Sequence, residues 1–187
     1  AVFEALGAWP RMRAEAGVIR AIHVSDAGRF GFARLVAAEQ GLEAFGYVLP
    51  NRALGRALWQ GLAATPQLAL YMPARLVEAR SLASHASLAI ERGDGTRATV
   101  HAKLLVAADG AQSTVRAALG LPSHVEDYGQ VAVVANLAAD RPHDGTAYER
   151  FTPVGPLALL PLADGSYTVV WARTPDDAAQ ALAMLES

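Results

Sequence analysis

Residues 104–116 read Leu-Leu-Val-Ala-Ala-Asp-Gly-Ala-Gln-Ser-Thr-Val-Arg, an apolar run that ends in an Asp-Gly pair before a helical pattern begins. The apolar run 104–108 predicts a strand that is buried on both faces. A short helix is predicted over 113–119, with Ser113 as its N-cap and Gly120 just beyond its end. The stretch therefore predicts the strand–turn–helix unit of an α/β fold.

Asp109 and Gly110 lie at the turn of this unit, the region where the ligands of parallel sheets bind. The carboxylate of Asp109 can accept hydrogen bonds from the hydroxyls of a ribose, and Gly110 lets the backbone approach a ligand closely. Free N–H groups at the start of the helix can face a phosphate or a flavin carbonyl. The spacing of Asp109, Gly110 and the start of the helix suits a nucleotide. An Asp-Gly pair by itself, however, more often forms an ordinary turn between a strand and a helix.

The composition indicates a folded protein and argues against several classes of function. The chain has 187 residues, of which 52% are hydrophobic and 18% charged, enough for one ordinary domain or two small interleaved ones. A net charge of −2 argues against nucleic acid as a partner. The lack of cysteine excludes disulfides and thiolate chemistry, and the five histidines have no metal-binding spacing. No apolar stretch reaches the roughly 20 residues of a membrane span.

Further elements are predicted from periodicity and turn residues. A helix begins at Asn51, its predicted N-cap, because Leu54, Leu58 and Leu62 repeat at intervals of four and Pro50 precedes them. Other helices are predicted over 2–16, with a break near residue 10, and over 174–187, with Thr174 as N-cap. Residues 163–166, Ala-Asp-Gly-Ser, are predicted to form a hairpin turn. Strands are predicted over 19–25, 29–36, 68–72, 75–79, 87–92, 97–108, 130–138, 146–152, 157–161 and 166–172.

The stretch 93–98, Gly-Asp-Gly-Thr-Arg-Ala, has the glycine spacing of a dinucleotide-binding loop. A strand pattern follows it, however, whereas a dinucleotide-binding loop opens a helix. Residues 93–96 are therefore predicted to form the turn of a β-hairpin.

The run 104–116 resembles the second fingerprint of the FAD-dependent aromatic hydroxylases, the p-hydroxybenzoate hydroxylase-like superfamily, at its apolar strand, Asp-Gly pair, serine and arginine. Other motifs are similar to the ubiquinone-biosynthesis branch of that superfamily, the 2-polyprenyl-6-methoxyphenol hydroxylases. These motifs are Ile22-His-Val-Ser-Asp26, Gly46-Tyr47-Val48, Tyr148-Glu-Arg-Phe-Thr152 and Gly155-Pro-Leu-Ala-Leu-Leu-Pro161. The similarity covers nearly all of the chain.

The resemblance implies an α/β (α+β) fold in which a partial Rossmann-like FAD-binding domain is interleaved with a β-sheet substrate domain. Residues 1–49 are expected to form a helix and the first strands on the substrate side. Residues 50–122 would form the partial FAD-binding domain with the Asp-Gly motif, and 123–187 the β-sheet substrate domain and the start of a helix.

Two family segments, a Gly-x-Gly-x-x-Gly loop and a later Gly-Asp-Ala segment, are absent from the sequence. We therefore expect the chain to be the central part of a longer protein, and to be inactive and without FAD when alone. We also expect the strand 104–108 to lack neighbouring strands, which would expose its edge and favour self-association or a smaller sheet.

The resemblance implies that five residues lie at the cofactor. Asp109 would bind the ribose or pyrophosphate region of FAD, with Gly110 beside it. Asn51 would face the flavin or its ribityl chain, and Val77 would meet the adenine through its backbone. Arg56 would lie near the pyrophosphate, and an ion pair with an acid on a solvated face is an equally good interpretation of this arginine.

Two neighbours of the Asp-Gly pair are expected to be structural. Ser113 would cap the following helix, and Arg116 would brace the loop through a salt bridge. Neither side chain is expected to contact FAD itself.

On the substrate side, Tyr148, Arg150 and Trp171 are expected to contact an aromatic ring, with core packing and sheet pairing as the alternatives. The stretch 157–163 contains no residue that would grip a carboxylate, which fits a neutral phenol with an apolar tail. The sequence indicates no catalytic residue and no metal site.

The activity implied by the resemblance is that of an FAD-dependent monooxygenase, which hydroxylates a polyprenylated phenol with O₂ during ubiquinone biosynthesis. Reduced nicotinamide or another donor would supply the electrons. One alternative is a different flavoprotein of the same fold, a prenyl reductase or an epoxidase. The other is a non-enzymatic module that binds an apolar ligand.

The resemblance also implies possible contacts with other ubiquinone-biosynthesis proteins and a cytoplasmic location, peripheral to the inner face of the membrane. Only Lys103 among the 16 lysines and arginines is a lysine, a bias that suggests a bacterial source with a GC-rich genome.

Overall fold

Two units are formed by residues 2–183, the part of the chain that the computed structural model describes. The first unit combines the residues up to Pro66 with those from Asp127 onward, and the second unit is the segment Gln67–Glu126. The first unit is therefore assembled from two stretches of sequence that the second unit separates.

The elements follow the chain in a mixed α and β order. The strands are β1 (Gly17–Ile19), β2 (Ala21–Asp26), β3 (Phe32–Val36), β4 (Gly46–Val48), β5 (Ala74–Ser81), β6 (Ala86–Arg92), β7 (Arg97–Ala102), β8 (Val131–Leu137), β9 (Thr146–Phe151), β10 (Leu157–Pro161) and β11 (Tyr167–Arg173). The α-helices are α1 (Val2–Ala5), α2 (Asn51–Ala63), α3 (Thr114–Ala118) and α4 (Pro175–Ala183). Short 3₁₀ helices cover Trp9–Arg11, Arg13–Glu15 and Ala37–Gln40.

A six-stranded sheet in the order β3-β2-β9-β10-β11-β8 is the main element of the first unit. Its pairs are antiparallel except for β2 and β9, which run parallel. The turn between β10 and β11 has a local cause: Asp164 accepts hydrogen bonds from the backbone N–H and the hydroxyl of Ser166, at 3.0 and 2.6 Å. Gly165 follows with a φ of 88°, a conformation that favours glycine.

The pleat of this sheet gives it two faces, because paired residues share a face and successive residues alternate. The first, called the front face here, includes Val134, Asn136, Glu149, Ala158, Leu160, Thr168 and Val170. The second, called the back face, includes Ala135, Leu137, Tyr148, Arg150, Leu159, Tyr167, Val169 and Trp171.

Helix α2 is held by its apolar side. Ala57 is buried together with Ala8 and Met12, and Leu54 and Leu58 pack against this cluster. Leu54 and Leu58 of the predicted four-residue repeat thus lie on the packed face of the helix, whereas Leu62, the third residue of the repeat, is 43% exposed. Pro50 and not Asn51 occupies the N-cap, without a capping side chain, so the predicted N-cap was wrong by one residue.

The second unit contains the three-stranded antiparallel sheet β5-β6-β7. The predicted hairpin turn is present: Asp94 accepts hydrogen bonds from the backbone N–H and the hydroxyl of Thr96, and Gly95 has a φ of 81°. In β5 the register shifts between Leu76 and Glu78, so Val77 is the extra residue of a β-bulge.

One predicted strand, 68–72, does not form, and the predicted strand 97–108 forms only over Arg97–Ala102. Residues 104–108 are unpaired, and Leu104 and Val106 are 77% and 73% exposed. No strand within residues 2–183 lies beside this run, so its backbone N–H and C=O groups have no strand with which to form hydrogen bonds. The run 68–72 is likewise unpaired and lies between Pro66 and Pro73. The expected self-association stays a prediction.

The predicted helices at the two ends differ in outcome. Over 2–16 the structure has α1 and two 3₁₀ turns in place of one broken helix, and Gly7, with a φ of 62°, follows α1. At the other end, Thr174 accepts a hydrogen bond from the backbone N–H of Asp177, as its predicted N-cap role requires. The predicted continuation of α4 to residue 187 lies outside the described residues. None of the helices in the described part combines the length and apolar character needed to cross a membrane.

We predict that Gly17→Ala destabilises the first unit by about 1–3 kcal/mol, the usual cost of overpacking. A Cβ at residue 17 would lie 2.0 Å from the backbone oxygen of Pro161, which the sheet holds in place. Denaturant unfolding measures the effect. Gly46→Ala, on the paired strand β4, is the control because its Cβ would meet no atom within 4 Å. Equal losses in both variants would contradict the prediction.

Candidate functional site

A cleft of 590 Å³ opens between the start of α2 and the sheet of the first unit. Residues 48–52 form one wall, and Val134, Asn136 and Thr168 of the front face form another. The β10–β11 turn, with Leu162 and Asp164, closes one end. Its volume is in the range of pockets that hold small organic ligands.

Charged side chains at the helix side of the cleft are paired with each other. Arg56 forms an ion pair with Glu15, and Nη2 of Arg52 lies 4.0 Å from the other oxygen of Glu15. Arg56 therefore adopts the ion pair that the sequence analysis left open as an alternative. This pairing does not test whether Arg56 also lies near a pyrophosphate.

Asn51 lies in the wall of the cleft, as the first residue of α2. Its side chain is exposed and makes no hydrogen bond within the described residues. The amide can both donate and accept, so it is available to a polar ligand atom in the cleft.

The three predicted substrate residues lie on the back face of the sheet, away from the residues that line the cleft. Tyr148 contacts the ring of His23 at 5.6 Å, and Arg150 donates to the hydroxyl of Ser25 at 3.3 Å. The guanidinium of Arg173 lies over the ring of Trp171, 4.2 Å from its centre. These contacts give the predicted substrate role no support from geometry, and it stays a prediction.

The sequence analysis missed the residues with which the sheet does line the cleft. Asn136 and Thr168 are polar, and Val134 is apolar. Strict alternation along β8 and β11 could have grouped them, since they share one face. The sequence did not indicate which face would meet α2.

In the second unit, Asp109 holds the start of α3. Its Oδ1 accepts from the hydroxyl of Ser113 at 2.5 Å, and its Oδ2 accepts from the N–H groups of Thr114 and Val115 at 2.7 and 3.1 Å. The Thr114 hydroxyl also donates to Oδ2, at 3.0 Å. The hydroxyl of Ser113, followed by the Val115 N–H, lowers the pKa of the Asp109 carboxyl well below its usual range.

The expected free N–H groups at the start of α3 are therefore not free, because Asp109 uses two of them. The third, from Arg116, donates to the Ser113 hydroxyl oxygen at 3.0 Å, which confirms Ser113 as the N-cap. The predicted brace at Arg116 is a hydrogen bond to the carbonyl of Ala111, at 2.6 Å, and not a salt bridge. The carboxylate of Asp109 is already bonded to Ser113 and to the N–H groups of Thr114 and Val115.

Gly110 and Val77 keep their backbones accessible. Gly110 has a φ of 87°, and a Cβ there would meet no atom within 4 Å. Val77 has no opposite residue in β6 because it is the bulged residue, and it is 40% exposed. Both positions can receive a ligand through main-chain atoms, which is the role that the sequence analysis predicted for Val77.

The fold indicates the class of protein. With 19% sequence identity and a TM-score of 0.73, the chain resembles the p-nitrophenol 4-monooxygenase PnpA of Pseudomonas putida, over 92% of this chain and 47% of that one. Its fold is thus that of the FAD-dependent monooxygenases. Residues 1–182 match the family described as "FAD binding domain", and the chain belongs to that family.

Two relatives are more similar in sequence. The ubiquinone hydroxylase UbiL of Rhodospirillum rubrum is 34% identical over 176 residues, which cover 94% of this chain and 40% of that protein. The 3-demethoxyubiquinol 3-hydroxylase of Escherichia coli is 34% identical over 139 residues, or 74% of this chain and 34% of that protein. The chain thus spans a third to two fifths of the length of these relatives.

We predict that Asp109→Asn lowers the thermal midpoint of the second unit at pH 7, because an amide nitrogen cannot accept the N–H groups of α3. Since folding lowers the pKa of this carboxyl, its stabilisation is complete above the ordinary value of about 4 and is lost as the pH falls below it. Circular dichroism of wild type and variant between pH 7 and pH 3 should show the gap between their thermal midpoints narrowing below about pH 4 without closing, because the folded-state pKa of the carboxyl lies well below this range.

Glu126→Gln is the control, because Glu126 is a largely exposed acid of the second unit whose carboxylate lies 3.5 Å from His124 and not at α3. A gap between wild type and Asp109→Asn that is the same at every pH would contradict the assigned role of the carboxylate.

Proposed function

We propose that this chain is part of an FAD-dependent monooxygenase that hydroxylates a polyprenylated phenol in ubiquinone biosynthesis. The observation that carries the proposal is the cleft of the first unit, which sets the amide of Asn51 opposite Val134, Asn136 and Thr168 of the sheet. The names of the two relatives from R. rubrum and E. coli support the substrate class.

The residues present fit FAD at several points. Asn51 offers an amide without a hydrogen-bond partner in the described structure, and Val77 offers backbone groups outside the β-ladder. Gly110 leaves open space beside the main chain. Asp109 would hold the loop beside FAD in shape, and any hydrogen bond from its carboxylate to the ribose would come in addition to its hydrogen bonds with α3. Arg56 would lie near the pyrophosphate while paired with Glu15.

When bound, FAD would supply the activation of O₂, with electrons from a reduced nicotinamide or another donor. The chain's own part is to orient the ring and to exclude water. Front-face positions Val134, Ala158, Leu160 and Val170 are apolar, and no arginine or lysine lies among them. Such a face suits a neutral ring and gives no grip to a carboxylate. Tyr148, Arg150 and Trp171 would then act on the back of the sheet, by supporting it.

Three finer points belong to this proposal. The 187 residues by themselves would retain no FAD, since they contain no Gly-x-Gly-x-x-Gly loop. Residues 1–49 and 123–187 would serve the substrate and residues 50–122 the cofactor. Because a polyprenylated substrate partitions into lipid, the protein would work in the cytoplasm at the inner face of the membrane, alongside other enzymes of the same biosynthesis.

The test is to purify the full-length gene product and follow its flavin spectrum and its products. We expect a yellow protein that consumes O₂ in the presence of a short-chain prenylated phenol and adds one oxygen atom to the ring, as measured by mass spectrometry. Asn51→Ala should reduce FAD retention, whereas Gln60→Ala, on the exposed side of the same helix, should not.

Other outcomes would identify the alternatives. A colourless protein that binds the phenol would indicate a non-enzymatic module. A flavoprotein that saturates or epoxidises the prenyl double bonds, and leaves the ring unchanged, would indicate a reductase or an epoxidase.

A further inference from the structure

Two polar side chains stand side by side on the front face, inside the cleft. Asn136 of β8 and Thr168 of β11 are directly paired across the two strands. Paired residues on one face have Cβ atoms about 4.5–5.5 Å apart. Both side chains line the cleft whose opposite wall contains Asn51.

Within the sheet the neighbours of this pair are apolar, whereas the rest of the cleft lining includes Glu15, Arg52 and Asp164. Along the strands, Val134 and Val170 come next on the same face, and Leu160 pairs with Thr168 on its other side. In small-molecule sites, a few polar groups within an apolar lining fix the orientation of the ligand. The pair is therefore the polar feature that the sheet contributes to this wall.

The fold makes little use of either polar group. The Asn136 amide has no hydrogen bond within residues 2–183, and the strand that bears it lies at the edge of the sheet. The Thr168 hydroxyl donates to the carbonyl of Ala135 at 3.4 Å, a long bond that leaves its oxygen free to accept.

We infer that Asn136 and Thr168 together bind the hydroxyl of a phenolic ring in the cleft. The amide of Asn136 donates a hydrogen bond to the phenolic oxygen, and the Thr168 oxygen accepts a hydrogen bond from the phenolic O–H group. A phenol fills both positions because its hydroxyl accepts and donates, whereas an aryl ether can only accept. This inference rests on the proposed function for the identity of the ring, and it assigns the residues that distinguish a phenol from its ether.

The experiment uses the full-length, FAD-loaded protein and three probes with the same short prenyl tail: a phenol, its methyl ether and the ring without that oxygen. Ligand affinity is read from the change in the flavin absorption spectrum. Asn136→Leu should weaken the phenol and the ether, and Thr168→Val should weaken the phenol alone. The expected loss is about twofold to tenfold, the usual contribution of one hydrogen bond, since Asn136 is exposed and Thr168 half-buried in the cleft. Neither variant should alter binding of the third probe.

Leu137→Asn is the matched control, because it changes polarity on the same strand but on the back face. FAD content and thermal midpoint verify that each variant is folded. Should Asn136→Leu fail to fold, Thr168→Val, which keeps the shape of the side chain, tests the inference alone through the ratio of phenol to ether affinity.

The two proposals fail in different ways. A protein that holds no FAD or leaves the ring unoxidised overturns the proposed function. A protein that hydroxylates the phenol, while Thr168→Val keeps the wild-type preference for phenol over ether, overturns only the inference about this pair. Weakening of all three probes to the same degree also overturns it, since that pattern means a change in cleft shape.

Discussion

The alternation of side chains along the strands of the six-stranded sheet is the constraint on which the rest of the structure depends. Once the register pairs Thr168 with Asn136 and with Leu160, the face of each remaining residue in those strands is determined. The front face meets the start of α2 and forms the cleft, while the back face packs aromatic and basic side chains against each other. A shift of one residue in β11 would replace Thr168 with Tyr167 or Val169 in the wall of the cleft.

Local sequence signals predicted the elements whose stability is local. The turns at Asp94 and Asp164, the cap at Ser113 and the cap at Thr174 all depend on hydrogen bonds that span two or three residues. The prediction for 104–108 was less successful because a strand needs neighbouring strands to pair with, and an apolar run does not indicate whether such strands are present. The prediction of a helix over 2–16 failed at Gly7 for the opposite reason, since a local glycine outweighed a longer apolar pattern.

For the candidate-site residues, too, the sequence was more informative about local features than about long-range contacts. The resemblance implied that Asn51 faces the flavin; the residue lies in the cleft wall, and its contact with FAD stays a prediction. Tyr148, Arg150 and Trp171 were chosen by side-chain type, but a contact with the cleft depends on the face and not on the type. Arg56 could not be decided from the sequence, because its ion-pair partner Glu15 is 41 residues away. Asp109 was predicted to contact a ligand, and its hydrogen bonds to α3 depend on a loop shape that no spacing specifies.

The parallel pairing of β2 with β9 has a consequence for the order of events during synthesis on the ribosome. Ser25 and Arg150 touch across this pair although 125 residues separate them, and the whole second unit lies between the two strands. The nascent chain must therefore carry the hairpin β2–β3 with one long edge unsatisfied until the second unit has emerged. Long-range contacts of this kind slow folding and prolong the exposure of apolar edges. The second unit is one continuous segment and is free to close first. The cleft takes its walls from residues on both sides of that segment, so it forms only after the second unit has emerged.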